Sequence, residues 1–340
     1  MWRPSQLVEA AISIFRAPEL WFTGVANLQA QRIRWFWLDG SGKTQPLIAT
    51  PDAYFTPRFS PDGKRLALAM TTGKGMDIYV YDEREVISHL TFNGQGNSNP
   101  VWTPDGKHIV FRSASADGAN STIWWIRSDG AGEAQQLYQS QRQAIPSSFS
   151  PDGGQLAFSD STPETVMDIW TMPLDLTDAE HPKPGTPEKF LASPKVEAFP
   201  MFSPDGHWMA YTSDELGQFQ VFVRPFPPRP GVWQISTEGG RYAFWSRDGK
   251  LFYLGPRGRI FVVDYTAHGD TFTRGKPRLW SDVPIRPAGL NVLTPLDLAP
   301  DGKRFAIFPV PKLEEVKGSV HVTFLFNFFD ELRRRVPVNK

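Results

Sequence analysis

A β-propeller of four-stranded antiparallel blades is the fold class this sequence predicts, on three observations. A tight-turn signature recurs along most of the chain, each copy leads into short apolar strands, and the spacing between copies falls in the range of one propeller blade. The signature reads F-S-P-D-G-K at 59–64, W-T-P-D-G-K at 102–107 and F-S-P-D-G at 149–153. It returns as F-S-P-D-G-H at 202–207, W-S-R-D-G-K at 245–250 and L-A-P-D-G-K at 298–303. Its glycines, Gly63, Gly106, Gly153, Gly206, Gly249 and Gly302, are separated by 43, 47, 53, 43 and 53 residues, room for four short strands and their loops.

The turn chemistry is local. Proline presets φ at the first corner, and the carboxylates of Asp62, Asp105, Asp152, Asp205, Asp248 and Asp301 cap the backbone. Glycine then takes the left-handed position that closes a hairpin. The second strands follow at Arg65–Ala69, His108–Phe111, Gln155–Phe158, Trp208–Tyr211, Leu251–Tyr253 and Arg304–Phe308. Third strands are expected at Asp77–Tyr81, Thr122–Ile126, Asp168–Met172, Phe219–Val223, Arg259–Val263 and His321–Phe326. Most are β-branched or aromatic throughout, as blades covered on both faces require. More polar outer strands fit at Ser88–Thr91, Ala134–Leu137, Lys189–Leu191 and Val232–Ser236, where solvent takes one edge.

A ring must join its first and last blades. Ahead of the first signature, Glu19–Phe22, Ile33–Leu38 and Gln45–Ile48 read as second, third and outer strands. With Ala11–Phe15 as a degenerate inner strand they predict a seventh blade, and Gln6–Glu9 could supply the outer strand of the last one. Seven blades are favoured; a ring of six that uses these segments as partial strands stays open. The propeller is expected over residues 1–327, followed by a short helix at Phe328–Val336, where Phe329, Leu332 and Val336 recur at helical spacing and Pro337 ends it. The proline-rich insertions Pro173–Pro187 and Arg224–Gly231 read as rigid rim loops.

Composition narrows the function classes. Lysine plus arginine equals aspartate plus glutamate, 36 against 36, so no net field steers the chain toward nucleic acid or acidic membranes. The absence of cysteine excludes disulfides, thiolate zinc sites and cysteine nucleophiles. No apolar run approaches the roughly 20 residues of a membrane span, and the N-terminus lacks a clear signal-peptide pattern because Glu9 interrupts its apolar stretch. A soluble chain, monomeric and without membrane insertion, is expected; its compartment stays open.

The repeated S-P-D-G hairpin with a D-I-Y or D-I-W third strand resembles the TolB-type, WD-like propeller repeats of bacteria. It is most similar to the propeller that follows the kinase domain in bacterial serine/threonine protein kinases. The residues that carry this are R-W-F-W-L-D-G-S-G at 34–42, R-F-S-P-D-G-K-R-L-A at 58–67 and F-S-P-D-G-H-W-M-A-Y-T-S-D-E at 202–215, with V-F-V-R-P-F-P at 221–227 and F-N-F-F-D-E-L at 326–332. No kinase motif accompanies them: there is no G-x-G-x-x-G with a strand lysine, no H-R-D and no D-F-G. The resemblance therefore implies a sensing or scaffolding half without the catalytic one. Similar propellers gate prolyl-oligopeptidase-like peptidases, but no G-x-S-x-G elbow is present, and others form oligogalacturonate lyases that bind a metal through central histidines.

Candidate chemistry is sparse. His89, His108, His181, His207, His268 and His321 include no pair at metal-ligand spacing, and the turn aspartates have a structural role and lie too far apart for a carboxylate dyad. Asp77 and Asp168, which open third strands, are expected to bond a neighbouring blade's backbone. G-S-G-K at 40–43 and T-T-G-K-G at 71–75 join strands and do not open helices, so they are not phosphate loops. No cofactor is expected. The segments that enter the inner strands surround one mouth of the channel, placing Tyr54, Arg58, Asn97, Asn99, Glu197, Phe199, Arg241, Tyr242 and Asn291 there. Their mixture of aromatic, guanidinium, amide and carboxylate groups suits a peptide or a carboxylate-bearing ligand, with Arg58 or Arg241 as the anion anchor. A non-enzymatic protein- or peptide-binding module is the expectation; a metal-assisted lyase or hydrolase is the alternative.

Overall fold

Each signature turn folds as its residues dictate. In the first, the Ser60 hydroxyl donates to Asp62 (2.6 Å), Asp62 accepts the Lys64 N–H (3.1 Å), and the Gly63 N–H closes on Ser60 O (2.8 Å). Gly63 sits at φ 72°, where a Cβ would be strained, and the five other turn glycines lie between φ 67° and 77°. Thr103, Ser150, Ser203 and Ser246 repeat the hydroxyl-to-aspartate bond. Ala299 in the last copy cannot, yet Asp301 still accepts the Lys303 N–H at 2.8 Å and the turn closes.

The computed structural model describes residues 34–48, 52–71, 75–94, 96–285 and 294–310. These form six antiparallel sheets, each with four strands in its main path. Blade 1 runs Tyr54–Phe59, Arg65–Thr71, Met76–Asp82 and Ile87–His89, from inner to outer strand. Blade 2 runs Asn97–Trp102, His108–Ala114, Ser121–Arg127 and Gln135–Ser140. Blade 3 comprises Ile145–Phe149, Gln155–Asp160, Asp168–Asp175 and Glu188–Leu191, and blade 4 Glu197–Phe202, Trp208–Ser213, Gln220–Pro225 and Trp233–Gln234. Blade 5 comprises Arg241–Trp245, Lys250–Leu254, Ile260–His268 and Arg278–Ser281. The prolines of the first insertion lie partly in strands: the third strand of blade 3 extends through Pro173 and pairs with Lys183–Pro184.

Blade 6 takes its inner strands, Leu296–Leu298 and Arg304–Ile307, from the C-terminal side and its third and outer strands, Phe36–Asp39 and Thr44–Pro46, from the N-terminal side. Phe36 pairs with Ile307 and Asp39 with Arg304. Closure by N-terminal strands is thus as expected, but the count is six, not seven. The segments read as a seventh blade's third and outer strands complete blade 6, in the place assigned to His321–Phe326. That segment, the strands proposed before residue 33 and the helix at Phe328–Val336 lie outside the described residues.

Apolar clusters fill the spaces between blades, because the third strands have no solvent face. Phe55, Ala67, Ile78, Trp102, Ile109 and Phe111 join blades 1 and 2; Val110, Trp125, Phe149 and Phe158 join blades 2 and 3. Leu38, Phe244, Phe252, Leu296 and Phe305 join blades 5 and 6, so the closing strand belongs to the core itself. Leu38 is fully buried. Its replacement by alanine is expected to cost ~2–5 kcal/mol and to lower the melting temperature by roughly 5–15 °C, read by thermal denaturation. The same change at the exposed Val86 is expected to move it little.

Candidate functional site

The inner strands share a departure from regular geometry. Register shifts between Phe55 and Arg58, Ser98 and Val101, Pro146 and Ser148, Ala198 and Met201, and Arg241 and Ala243 mark a bulge in each of the first five blades. At the bulge, Thr56, Asn99, Phe199 and Tyr242 have φ of 46°, 53°, 57° and 54°, positions that non-glycine residues seldom adopt. Each stands seven residues before its turn glycine, so all four lie at one level, near the rim where the inner strands begin. Two of these backbone positions are stitched to the preceding blade: the Phe199 N–H donates to Ser159 Oγ (3.1 Å) and the Tyr242 N–H to Thr212 Oγ1 (3.3 Å).

Two residues further along, Arg58 crosses the channel. From blade 1 its guanidinium pairs with Asp297 of blade 6 at 3.3 Å, donates to Ser147 O of blade 3 at 3.2 Å and reaches Met201 Sδ of blade 4 at 4.0 Å. Asp297 also accepts the Phe59 N–H at 2.7 Å. Burial pushes the Asp297 carboxyl up to about 6, while Arg58 and the Phe59 N–H pull it down. Arg58 therefore lies about two strand residues, roughly 7 Å, below the level of the bulges. It is bound within the protein and not presented at the mouth as an anion anchor.

The other expected mouth residues divide. Phe199 and Tyr242 meet across blades 4 and 5 as a tilted ring pair with centroids 4.5 Å apart, and Arg241 lies half-buried with its guanidinium 3.8 Å over the Phe219 ring. Asn99 occupies the bulge of blade 2. Tyr54 is a core residue of the blade 6–blade 1 interface. Asn97 is fully buried, donating to Asp77 Oδ1 at 2.9 Å and Thr91 Oγ1 at 3.0 Å; Asp77 also receives the Gly94 N–H at 3.2 Å. This joins the third strand of blade 1, and the loop after its outer strand, to the inner strand of blade 2. Asp168 is held by Thr165 at 2.8 Å and Lys189 at 3.3 Å, contacts local to its own blade. Asn291 lies outside the described residues.

Glu197, 1% exposed, accepts from Ser193 Oγ at 2.5 Å, while its Oε2 has no hydrogen-bond partner. Burial, aided by the charge of Asp168, pushes its carboxyl up to about 7. Sequence reasoning missed Asp297 and Ser147, because their roles depend on blades far apart in the chain. A periodic clue to Asp297 existed: it occupies the position before the first signature residue that is Arg58 in blade 1 and Ser148 in blade 3. Ser148 Oγ likewise accepts the next blade's N–H, that of Phe202, at 3.1 Å.

The rim above the mouth is partly apolar. Phe92, Val166 and Leu216, 76%, 51% and 59% exposed, lie on loops at the end of the ring where the inner strands begin. Among the described residues, no three histidine, aspartate or glutamate side chains stand close enough to hold a metal ion.

Residues 39–181 match the family model described as TolB beta propeller domain. An uncharacterized protein of Agrobacterium fabrum is 25% identical over 181 residues, 51% of this chain, and the chain spans 59% of that relative's length. A solved structure provisionally assigned as TolB from Agrobacterium tumefaciens is 19% identical and superposes with a TM-score of 0.61, covering 83% of this chain and 100% of that one. TolB from Acinetobacter baumannii is 17% identical with a TM-score of 0.49 over 89% of this chain and 68% of that one. The chain is thus a β-propeller, and residues 39–181 of it match TolB-type repeats.

Two measurements probe the buried charges. At pH 8, Arg58→Met is expected to destabilise the ring by about 3–5 kcal/mol in urea denaturation, since it leaves the Asp297 charge buried without its cation; adding Asp297→Asn is expected to restore most of that loss. Glu197 has a folded pKa of about 7 against a reference of 4.5, so its protonated form favours folding; that contribution is present below about pH 4.5 and is lost as pH rises through about 7. Glu197→Gln keeps an acceptor for Ser193 and is expected to raise the melting temperature at pH 8 and to flatten its dependence on pH between 5 and 8.

Proposed function

We propose that this chain is a non-enzymatic binding module whose channel mouth takes up a segment of a protein or peptide. The observation that carries this reading is the set of polar and aromatic side chains that the bulged inner strands gather at one level, above the Arg58 bridge. Arg58 bridges blades 1, 3, 4 and 6 below the bulges, so a ligand entering there meets a guanidinium already tied to the protein. At the level of the bulges stand the half-buried Phe199, in contact with the buried Tyr242, and the half-buried Arg241; aromatic residues and arginine carry much of the binding energy in protein interfaces. The exposed Phe92, Val166 and Leu216 extend an apolar rim for the rest of a partner.

A propeller enzyme is the competing reading, and Glu197 is its best acid/base candidate because its carboxyl titrates near neutrality. The buried position of that group, tied to Ser193, favours a structural role over contact with substrate. Balanced charge supports a protein partner over nucleic acid. The resemblance to kinase-linked propellers makes this chain, in the same reading, the sensing half of such a system, which the genomic sequence upstream of Met1 tests.

Immobilised protein is the bait for a pull-down from the source bacterium, with Phe199→Ala and Arg241→Ala combined in one variant and Val86→Ala as a control on the opposite rim. A partner retained by the parent and the control is expected to fall at least ~10-fold for the double variant, on loss of two interface anchors. Equal recovery by all three would remove the mouth from the function.

A further inference from the structure

We infer that Arg112 anchors a binding site for a carboxylate-bearing ligand at the mouth end of the interface between blades 2 and 3. The inference rests on the reading of the mouth as a ligand site and names the chemical group that it receives.

The starting point is a break in the repeat. Six residues after its turn glycine, the second strand reaches the level of the bulge in the next blade. In blade 3 that position is Ser159 and in blade 4 Thr212, the two hydroxyls that accept the N–H groups of Phe199 and Tyr242. In blade 2 the same position is Arg112, and the residue it would serve in blade 3 is Pro146, which has no N–H to donate. Both halves of the stitch are therefore replaced together. A guanidinium stands where blades 3 and 4 place a hydroxyl.

Its surroundings do not neutralise it. Arg112 is 8% exposed; one Nη donates to Gln143 Oε1, and Gln143 is held in turn by donating from Nε2 to Gly118 O. Nε is buried with no hydrogen-bond partner. Among the described residues no carboxylate pairs with Arg112, whereas Arg58 has Asp297 and Arg127 has Asp129 and Glu180. Burial lowers its pKa to about 10, so it remains charged at neutral pH. An ion held in this way carries a desolvation penalty of several kcal/mol that a single amide oxygen does not offset. The chain keeps it, on a rigid strand, with one donor already oriented and one unused.

The chemistry selects the ligand. A guanidinium fork matches a planar carboxylate, and one cation neutralises one negative charge. A phosphate dianion would call for a second cation, whereas a carboxylate is matched by Arg112 alone. The carboxylate can belong to a small acid or to the end of a peptide.

Calorimetric titration of the intact chain separates these sources, with glutarate, a neutral hexapeptide bearing a free C-terminal carboxylate, the same peptide amidated, and inorganic phosphate as probes. Saturable binding of glutarate or the free-acid peptide is expected, with the amide and phosphate bound at least ~10-fold more weakly, the loss of one charge-assisted hydrogen bond. Arg112→Met keeps the apolar stem and removes the charge. It is expected to melt no lower than the parent in chloride buffer and to lose carboxylate binding by a similar factor. A parent that binds neither carboxylate, or prefers phosphate, overturns the proposal, as does a folded Arg112→Met variant that binds them equally well. A variant that fails to fold would mark Arg112 as a packing residue and overturn it too. If glutarate binds through Arg112 while the pull-down yields no partner, the site stands and the protein-binding role alone fails.

Discussion

The pairing of Phe36–Asp39 with Arg304–Ile307 joins two ends of the chain into one sheet, and the ring depends on it. Without those four residues blade 6 would be a two-stranded hairpin with an open edge, and a hairpin alone is at best marginally stable in water. With them, Leu38 enters the cluster that packs blade 6 on blade 5, and Trp35 the cluster that packs blade 6 on blade 1. At the second seam Asp297 accepts the Phe59 N–H and pairs with Arg58. Closure therefore holds the inner strands in register and also places the guanidinium that bridges blades 1, 3, 4 and 6.

The blades differ where the repeat is broken, and the proposed sites lie at those breaks. The turn hydroxyls, aspartates and glycines are nearly invariant from blade to blade because they solve the same local problem each time. The position just before the signature differs: Arg58, Val101, Ser148, Met201, Phe244 and Asp297 occupy it in turn. Serine and aspartate there accept a neighbour's N–H, valine and phenylalanine pack, and arginine spans the channel. The position six residues past the turn glycine varies in the same way, with hydroxyls in blades 3 and 4 and Arg112 in blade 2. A uniform scaffold carries a non-uniform lining.

Much of the ring was legible before any coordinates. The hairpin turns, the second and third strands of the first five blades and most outer strands stand where their residues place them, because turn chemistry and β-propensity act over a few neighbours. The blade count was not legible in the same way. Ile33–Leu38 and Gln45–Ile48 have the pattern of third and outer strands, and that pattern is correct. Nothing in them says that their inner partners lie some 260 residues downstream and not immediately before them. The lining was less legible: Phe199 meets Tyr242 across blades 4 and 5 and Arg241 lies over Phe219, whereas Tyr242, Tyr54 and Asn97 are buried in packing and hydrogen-bond roles.

By itself the sequence determined a propeller of repeated hairpins with a balanced surface and no thiol chemistry, since these follow from periodicity, turn residues and composition, all of them local or additive. The tertiary structure decided which strand completes which blade, which arginine is bound across the channel and which is left without a counter-charge. Those outcomes depend on pairings between blades, where residues that are far apart in the chain, such as Arg58 and Asp297, meet within hydrogen-bonding distance. No local pattern encodes such a meeting, because the energy that selects it exists only once the ring has closed.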